Sequence, residues 1–187
     1  VESRAAARVV QSRGQVDADL AEAFAQSIDN AHGLKDYRHI MDFTGGLTVS
    51  DQAQVAVDAI SSGLSRCVTM AMVPNTAQGW DTHADNDDGQ SPLWESLFSG
   101  LTQLLDLLRT TPGDLGGSLA DETVVVVLSE MGRTPQINST NGKDHWPYTS
   151  MLVVGPGVTS GRTVGGFDDL YAGQLIDSAT SEVDDGG

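Results

Sequence analysis

One uninterrupted run of apolar, mostly β-branched residues, "TVVVVL" at 123–128, constrains the fold more than any other feature of the chain. Apolar residues at both odd and even positions are typical of a strand buried on both faces, as in a parallel sheet. Two further apolar runs, at residues 67–73 and 151–154, have the same character. We therefore expect three strands of one parallel sheet.

The spacing of apolar residues between these runs predicts three helices. Residues 16–28 form the first, and the second runs from Ser50 or Asp51, either of which could be its N-cap, to Leu64. The third begins at Ser91-Pro92 and carries an apolar stripe to Leu108. Alternating helices and strands predict an α/β fold, and 187 residues suit a single domain. Residues 175–187 form a polar tail.

The composition is acidic, with 26 Asp and Glu against 10 Lys and Arg and a net charge of −16. This charge argues against nucleic acid and anionic lipid surfaces as partners, because both are themselves negative. No apolar window is long enough for membrane insertion. The lone cysteine, Cys67, excludes a thiolate zinc site and is expected to be a small core residue. The amino terminus lacks a signal peptide's apolar segment, which indicates a cytosolic protein or a missing precursor start.

Polar side chains form three clusters: 81–83 lies a few residues past the first predicted strand, 129–133 directly after the second, and 143–146 in the loop between the last two. Ligands bind beyond the carboxyl ends of strands in open α/β sheets, so parallel strands would bring these clusters to one edge. Three carboxylates and two imidazoles suit zinc, manganese or magnesium. The predicted metal ligands are Asp81, His83, Glu130, Asp144 and His145.

Two alternative interpretations of these clusters stay open. Counted from Ala84, the acidic loop places Asn86, Asp88 and Glu95 at positions that an EF-hand uses for calcium, with Ala84 itself at the first position. Ser129 stands at a strand end, although its context lacks the G-x-S-x-G elbow of serine hydrolases.

The motifs "GWDTH", "SEMGRTP" and "GKDHWP" occur in that order between residues 79 and 147. Together they resemble a largely uncharacterised, typically exported bacterial family of the alkaline-phosphatase-like, or sulfatase-like, superfamily. The resemblance implies a three-layer αβα sandwich, metal ions at the strand ends, phosphate or sulfate ester substrates, and a periplasmic or extracellular location. Members of that family are longer, so this chain corresponds to the later portion, without the N-terminal strands and the C-terminal helix.

Carried over by motif, the resemblance assigns Asp81 and His83 as a ligand pair and His145, with Asp144, as the late ligand. Glu130 stands where the superfamily has a strand-end aspartate, and Met131 stands where it has a second ligand histidine. The last of these differences argues against a two-zinc site and predicts either a single metal or a different metal preference.

The superfamily's nucleophile belongs to strands that precede the matched region, so Ser129 and Thr82 are only secondary candidates for that role. Arg133 is the candidate for orienting an anionic ester through paired hydrogen bonds. We expect a metal-dependent hydrolase of small anionic esters. The alternatives are a non-catalytic exported binding or structural protein of the same fold, and a calcium-stabilised acidic domain.

Overall fold

The computed structural model describes residues 15–36, 48–72, 79–177 and 179–184. Within these ranges the chain is a mixed helical and β structure, which confirms the predicted mixture of helices and strands. Its helices are α1 (Gln15–Asp36), α2 (Val49–Ser61) and α3 (Asn86–Thr110), followed by a 3₁₀ turn at Leu119–Asp121. Its strands are β1 (Val125–Leu128), β2 (Gly132–Arg133), β3 (His145–Trp146), β4 (Met151–Val154), β5 (Leu175–Ile176) and β6 (Val183–Asp184).

Helices α2 and α3 pack against each other and supply most of the buried core. Their contact is close because Gly100 has no side chain, and a Cβ there would lie 2.6 Å from Val49 Cβ. The 3₁₀ turn and the inner face of β1 close this core from the other side. The buried apolar residues of the cluster are Ala53, Val57, Leu101, Leu104, Leu108 and Leu119.

The starts of α2 and α3 differ from the predicted ones. Thr48, rather than Ser50 or Asp51, is the N-cap of α2, and Asp51 completes a capping box with it. Helix α3 begins at Asn86, five residues before Ser91, so Pro92 lies inside it. The earlier start has a physical cause, because the Asn86 amide donates to the Asn141 carbonyl at 2.9 Å and replaces a missing helical partner.

The predicted parallel sheet is wrong for the described strands. Strands β1 and β4 pair antiparallel, with Val125 opposite Val154 and Leu128 opposite Met151. Uniform apolarity also did not mean burial on both faces, since Val125 and Val127 pack on the core whereas Leu128 is 65% exposed. The side chains of a strand alternate between faces, and only one face of β1 has the helices behind it.

The predicted strand at 67–73 is also wrong for residues 67–72, which form no strand, and Val73 lies outside the described residues. The side chain of Gln52 takes the place of a neighbouring strand. Its amide donates to the Ala71 carbonyl at 2.7 Å and accepts from the Ala71 amide at 3.0 Å. Cys67 is exposed rather than a core residue.

Two short antiparallel pairs complete the described structure. Strand β2 pairs with β3, and β5 pairs with β6 inside the segment predicted to be a polar tail. Among the described helices, none combines the length and the apolarity needed to cross a lipid bilayer.

Replacing Leu108 with alanine should lower the free energy of unfolding by about 2–5 kcal/mol, because Leu108 is buried in the α2–α3 core. The matched control is Leu115→Ala, at a leucine that is 87% exposed, where a change within about 0.5 kcal/mol is expected. Urea unfolding of both variants measures the difference. Equal losses in the two variants would contradict this packing.

The capping box of the 3₁₀ turn predicts a pH-dependent contribution to stability. The Ser118 hydroxyl and amide both donate to Asp121, and these bonds lower the pKa of Asp121 below 3.8. A depressed pKa means that the stabilisation is present above the unfolded value and is lost as pH falls through the folded value. Asp121→Asn should therefore be less stable than wild type at neutral pH, and the difference should shrink below pH 3.8. Thermal unfolding across pH checks this, and a constant difference would contradict it.

Candidate metal centre

Two loop segments, at residues 81–86 and 138–145, lie against each other along the backbone. The Lys143 amide donates to the Thr82 carbonyl at 2.9 Å, and the Asp85 amide donates to the Thr140 carbonyl at 3.1 Å. Ala84 and Asn141 form an isolated antiparallel bridge between the same segments. This docking brings the first and third predicted clusters together without a parallel sheet.

The β2–β3 pair places the second cluster beside them. Arg133 lies opposite His145 in the register, and its guanidinium donates to the Lys143 carbonyl at 3.1 Å and to Asp81 Oδ1. Trp146 follows His145 on the strand, so its side chain projects from the opposite face, where it packs on Tyr148 and Phe167. These aromatic contacts pack on the face of β3 opposite to His145, whose side chain faces the other loop.

Three potential ligand atoms converge where these segments meet. His83 Nε2 lies 3.1 Å from His145 Nε2, and each of these nitrogens lies 3.2 Å from Asp81 Oδ1. The three side chains are about half exposed, so the cluster is open to solvent. Among the described residues, Asp81, His83 and His145 form the group of side chains that could hold a metal ion.

Asp144 contacts this group from outside it. Its Oδ1 lies 3.1 Å from His83 Nδ1. Because an ionised carboxylate only accepts hydrogen bonds, Asp144 accepts from His83 Nδ1. The other ring nitrogen, Nε2, faces Asp81 Oδ1 and His145 Nε2.

Both aspartates are held in their ionised form. Hydrogen bonds from Arg133 and then from His145 lower the pKa of Asp81 from 3.8 to about 2. The His83 hydrogen bond, followed by that of Asn138, lowers the pKa of Asp144. Carboxylates that stay charged at neutral pH are the form that binds or supports a cation.

The second predicted cluster contributes less than expected. Glu130 is exposed, and it is not in the convergent group found among the described residues. Ser129, directly after β1, is exposed too, and its hydroxyl donates to the Met131 carbonyl at 3.0 Å. Of this cluster, Arg133 is the residue that reaches the centre, through Asp81.

Thr82, a secondary nucleophile candidate, is fully buried. Its hydroxyl donates to Asn86 Oδ1 at 2.8 Å and accepts from Gln90 at 3.0 Å. A hydroxyl enclosed in this way cannot reach a substrate, so that expectation is wrong, and Thr82 is instead an anchor for the loop.

The calcium alternative depends on a loop that the structure replaces with a helix. Asn86, Asp88 and Glu95 all lie in α3. Asp87 and Asp88 are exposed in its first turn, where negative charge complements the helix dipole. The helical backbone does not wrap these residues around one point as an EF-hand loop does.

Sequence reasoning missed two residues that shape the centre. Gly142 is buried against the His83 backbone, and a Cβ there would come within 2.0 Å of the His83 carbonyl oxygen. Asn138 bonds across both loops, to the His83 carbonyl and to Asp144. The only sequence signal is the turn-forming composition of "NSTNG" at 138–142, which is typical of many surface loops.

A family model described as "Protein of unknown function (DUF1501)" matches residues 2–182. The chain belongs to this family. No curated protein and no solved structure matches it. Membership of DUF1501 agrees with the predicted uncharacterised family, while the alkaline-phosphatase-like superfamily stays a prediction. The convergent Asp81, His83 and His145 are therefore the main evidence about function in this DUF1501 chain.

Gly142→Ala should separate the two loops, because the added methyl group overlaps the His83 carbonyl. Strain of about 1–3 kcal/mol is expected, with a lower melting temperature. The control is Gly33→Ala in α1, whose Cβ would meet Leu64 at an ordinary 3.8 Å. Differential scanning fluorimetry of both variants measures the effect, and an unchanged melting temperature for Gly142→Ala would contradict the close approach.

Proposed function

We propose that Asp81, His83 and His145 bind a divalent metal ion, and that this metal serves the hydrolysis of phosphate or sulfate esters in the parent protein. The observation that carries the proposal is the near-equilateral triangle of ligand atoms, with edges of 3.1, 3.2 and 3.2 Å. These atoms come from two segments, and His83 and His145 are 62 residues apart.

The triangle fits a small divalent ion. Bonds of about 2.1 Å to zinc place tetrahedral ligands about 3.4 Å apart. Octahedral ligands at the same bond length lie about 3.0 Å apart. The observed edges fall between these two values. Two imidazoles with one carboxylate favour zinc, with manganese next, over magnesium or calcium, which prefer oxygen ligands.

Two neighbouring residues support the ligands. Asp144 accepts from His83 Nδ1, which orients the ring, as carboxylates do for ligand histidines at many metal sites. Arg133 is mostly buried and donates to Asp81. We therefore assign Arg133 to orienting Asp81, in place of the anion-orienting role predicted from its capacity for paired hydrogen bonds.

When bound, the metal would supply Lewis-acid stabilisation of charge on an ester oxygen. The half-exposed ligands leave room for a small anionic substrate to approach. The motif resemblance supports three further parts of the hypothesis: ester hydrolysis, a sandwich fold, and a periplasmic or extracellular location. We propose them together with the metal centre.

Metal binding is tested by elemental analysis and zinc titration of the purified protein. Wild type should bind one zinc, and Asp81→Ala and His145→Ala should each lose most of the affinity because each removes a ligand. Asp88→Ala is the matched control, since it removes an exposed carboxylate from the first turn of α3. Absence of zinc and manganese binding in wild type would refute the metal centre. Calcium binding that Asp88→Ala abolishes would support the calcium alternative.

The burial of one candidate nucleophile and the hydrogen bond of the other favour the non-catalytic alternative. Thr82 is buried, and Ser129 bonds to the Met131 carbonyl. Aryl phosphates and aryl sulfates assayed with the metal-loaded parent protein separate the two functions. Turnover that Asp81→Ala abolishes supports the hydrolase, whereas a loaded protein without turnover supports a binding or structural role.

A further inference from the structure

The side chain of Asn138 makes four hydrogen bonds within the metal centre, and the one to the His83 carbonyl connects its two loops. Its Oδ1 accepts from the Thr140 amide at 3.0 Å and the Gly142 amide at 2.8 Å. Its Nδ2 donates to the His83 carbonyl at 3.0 Å and to Asp144 Oδ1 at 3.2 Å. One side chain thus holds the turn at 138–142, the His83 backbone and the Asp144 carboxylate together.

The orientation of this amide is determined by its partners. Two backbone N–H groups can only donate to Oδ1, and a backbone carbonyl can only accept from Nδ2. An aspartate of the same size would keep the accepting half and lose the donating half. It would also place a negative oxygen against both the His83 carbonyl and Asp144. The position therefore calls for an amide, which a simple turn would not require, since Asx turns accept either residue.

We propose that Asn138 is a positioning residue of the metal centre, holding His83 and its partner carboxylate Asp144 in the ligand geometry. This inference rests on the proposed metal site. Asp144 orients the His83 ring through Nδ1, and Asn138 orients Asp144 through Oδ1, so the two contacts form a chain that ends at His83 Nε2. Asn138 touches no ligand atom of the group itself and acts through these partners.

The His83 carbonyl has a second donor, the Thr140 hydroxyl at 2.8 Å. Removal of the Asn138 donor therefore leaves the His83 backbone with one of its two side-chain bonds. The Asp144 carboxylate loses its Asn138 bond in the same step and, among the described side chains, keeps the His83 contact. Loss of the Asn138 donor should therefore change the orientation of the His83 ring more than the position of the His83 backbone.

The test compares Asn138→Asp with Ser139→Ala, an exposed neighbour in the same turn. Zinc dissociation constants come from competition with a chromophoric chelator, and melting temperatures come from the same metal-free samples. Asn138→Asp should bind zinc roughly 10–100-fold more weakly, the range typical of outer-shell substitutions, while Ser139→Ala should match wild type. A wild-type dissociation constant for Asn138→Asp would overturn the proposal, even if the melting temperature fell.

A measurement on the wild type covers the case in which the variant does not fold. Zinc addition should shift the side-chain amide NMR signals of Asn138 more than those of Asn141, which is exposed at the adjacent bridge. Unmoved Asn138 signals in a protein that binds zinc would overturn the positioning role alone. A wild type that binds no zinc would instead refute the metal site on which the role depends.

Discussion

The docking of residues 138–145 onto residues 81–86 is the interaction on which the candidate site depends. Neither segment holds the ligand set alone, because Asp81 and His83 come from one and His145 comes from the other. Backbone hydrogen bonds carry the docking, and the buried Thr82 receives one of them at its carbonyl. The geometry of the ligands is therefore a property of two backbones in contact rather than of one loop.

The same contact connects the site to the hydrophobic core. Asn86 is the first residue of α3, and it accepts from the Thr82 hydroxyl while its amide donates to Asn141. Helix α3 in turn buries Leu101, Leu104 and Leu108 against α2 and β1. The loops are thus attached to a helix that is packed in the hydrophobic core, which limits their freedom to separate and supports preorganised ligands.

Much of the helical structure was predictable from the sequence, because apolar residues recur at helical spacing; burial was less predictable, since Leu20 and Phe24 of α1 are exposed. The strands were less predictable. The apolar runs at β1 and β4 were found, yet a run of valines does not encode the direction of its partner, and the two strands pair antiparallel. The strand predicted at 67–72 is absent for a different reason. The Gln52 side chain, rather than a neighbouring strand, makes hydrogen bonds with the Ala71 backbone.

The predicted ligands also divide into those that the structure brings together and one that it does not. Asp81, His83 and His145 were predicted from residue type and clustering, and they converge, whereas Glu130 lies outside the group among the described residues. Asn138 and Gly142 were not predicted because their importance lies in contacts with a distant backbone.

The sequence by itself determined the helices, the apolar runs, the family and the chemical types available for a metal site. Only the tertiary structure decided which of those groups meet, that Arg133 is bound to Asp81, and that Asp144 sits behind His83. The physical reason is the distance along the chain over which each property is determined. Helical periodicity and ligand chemistry are local properties of a few residues, but a metal site needs three atoms within a few ångströms, and here the backbone pairing of two remote loops brings them there.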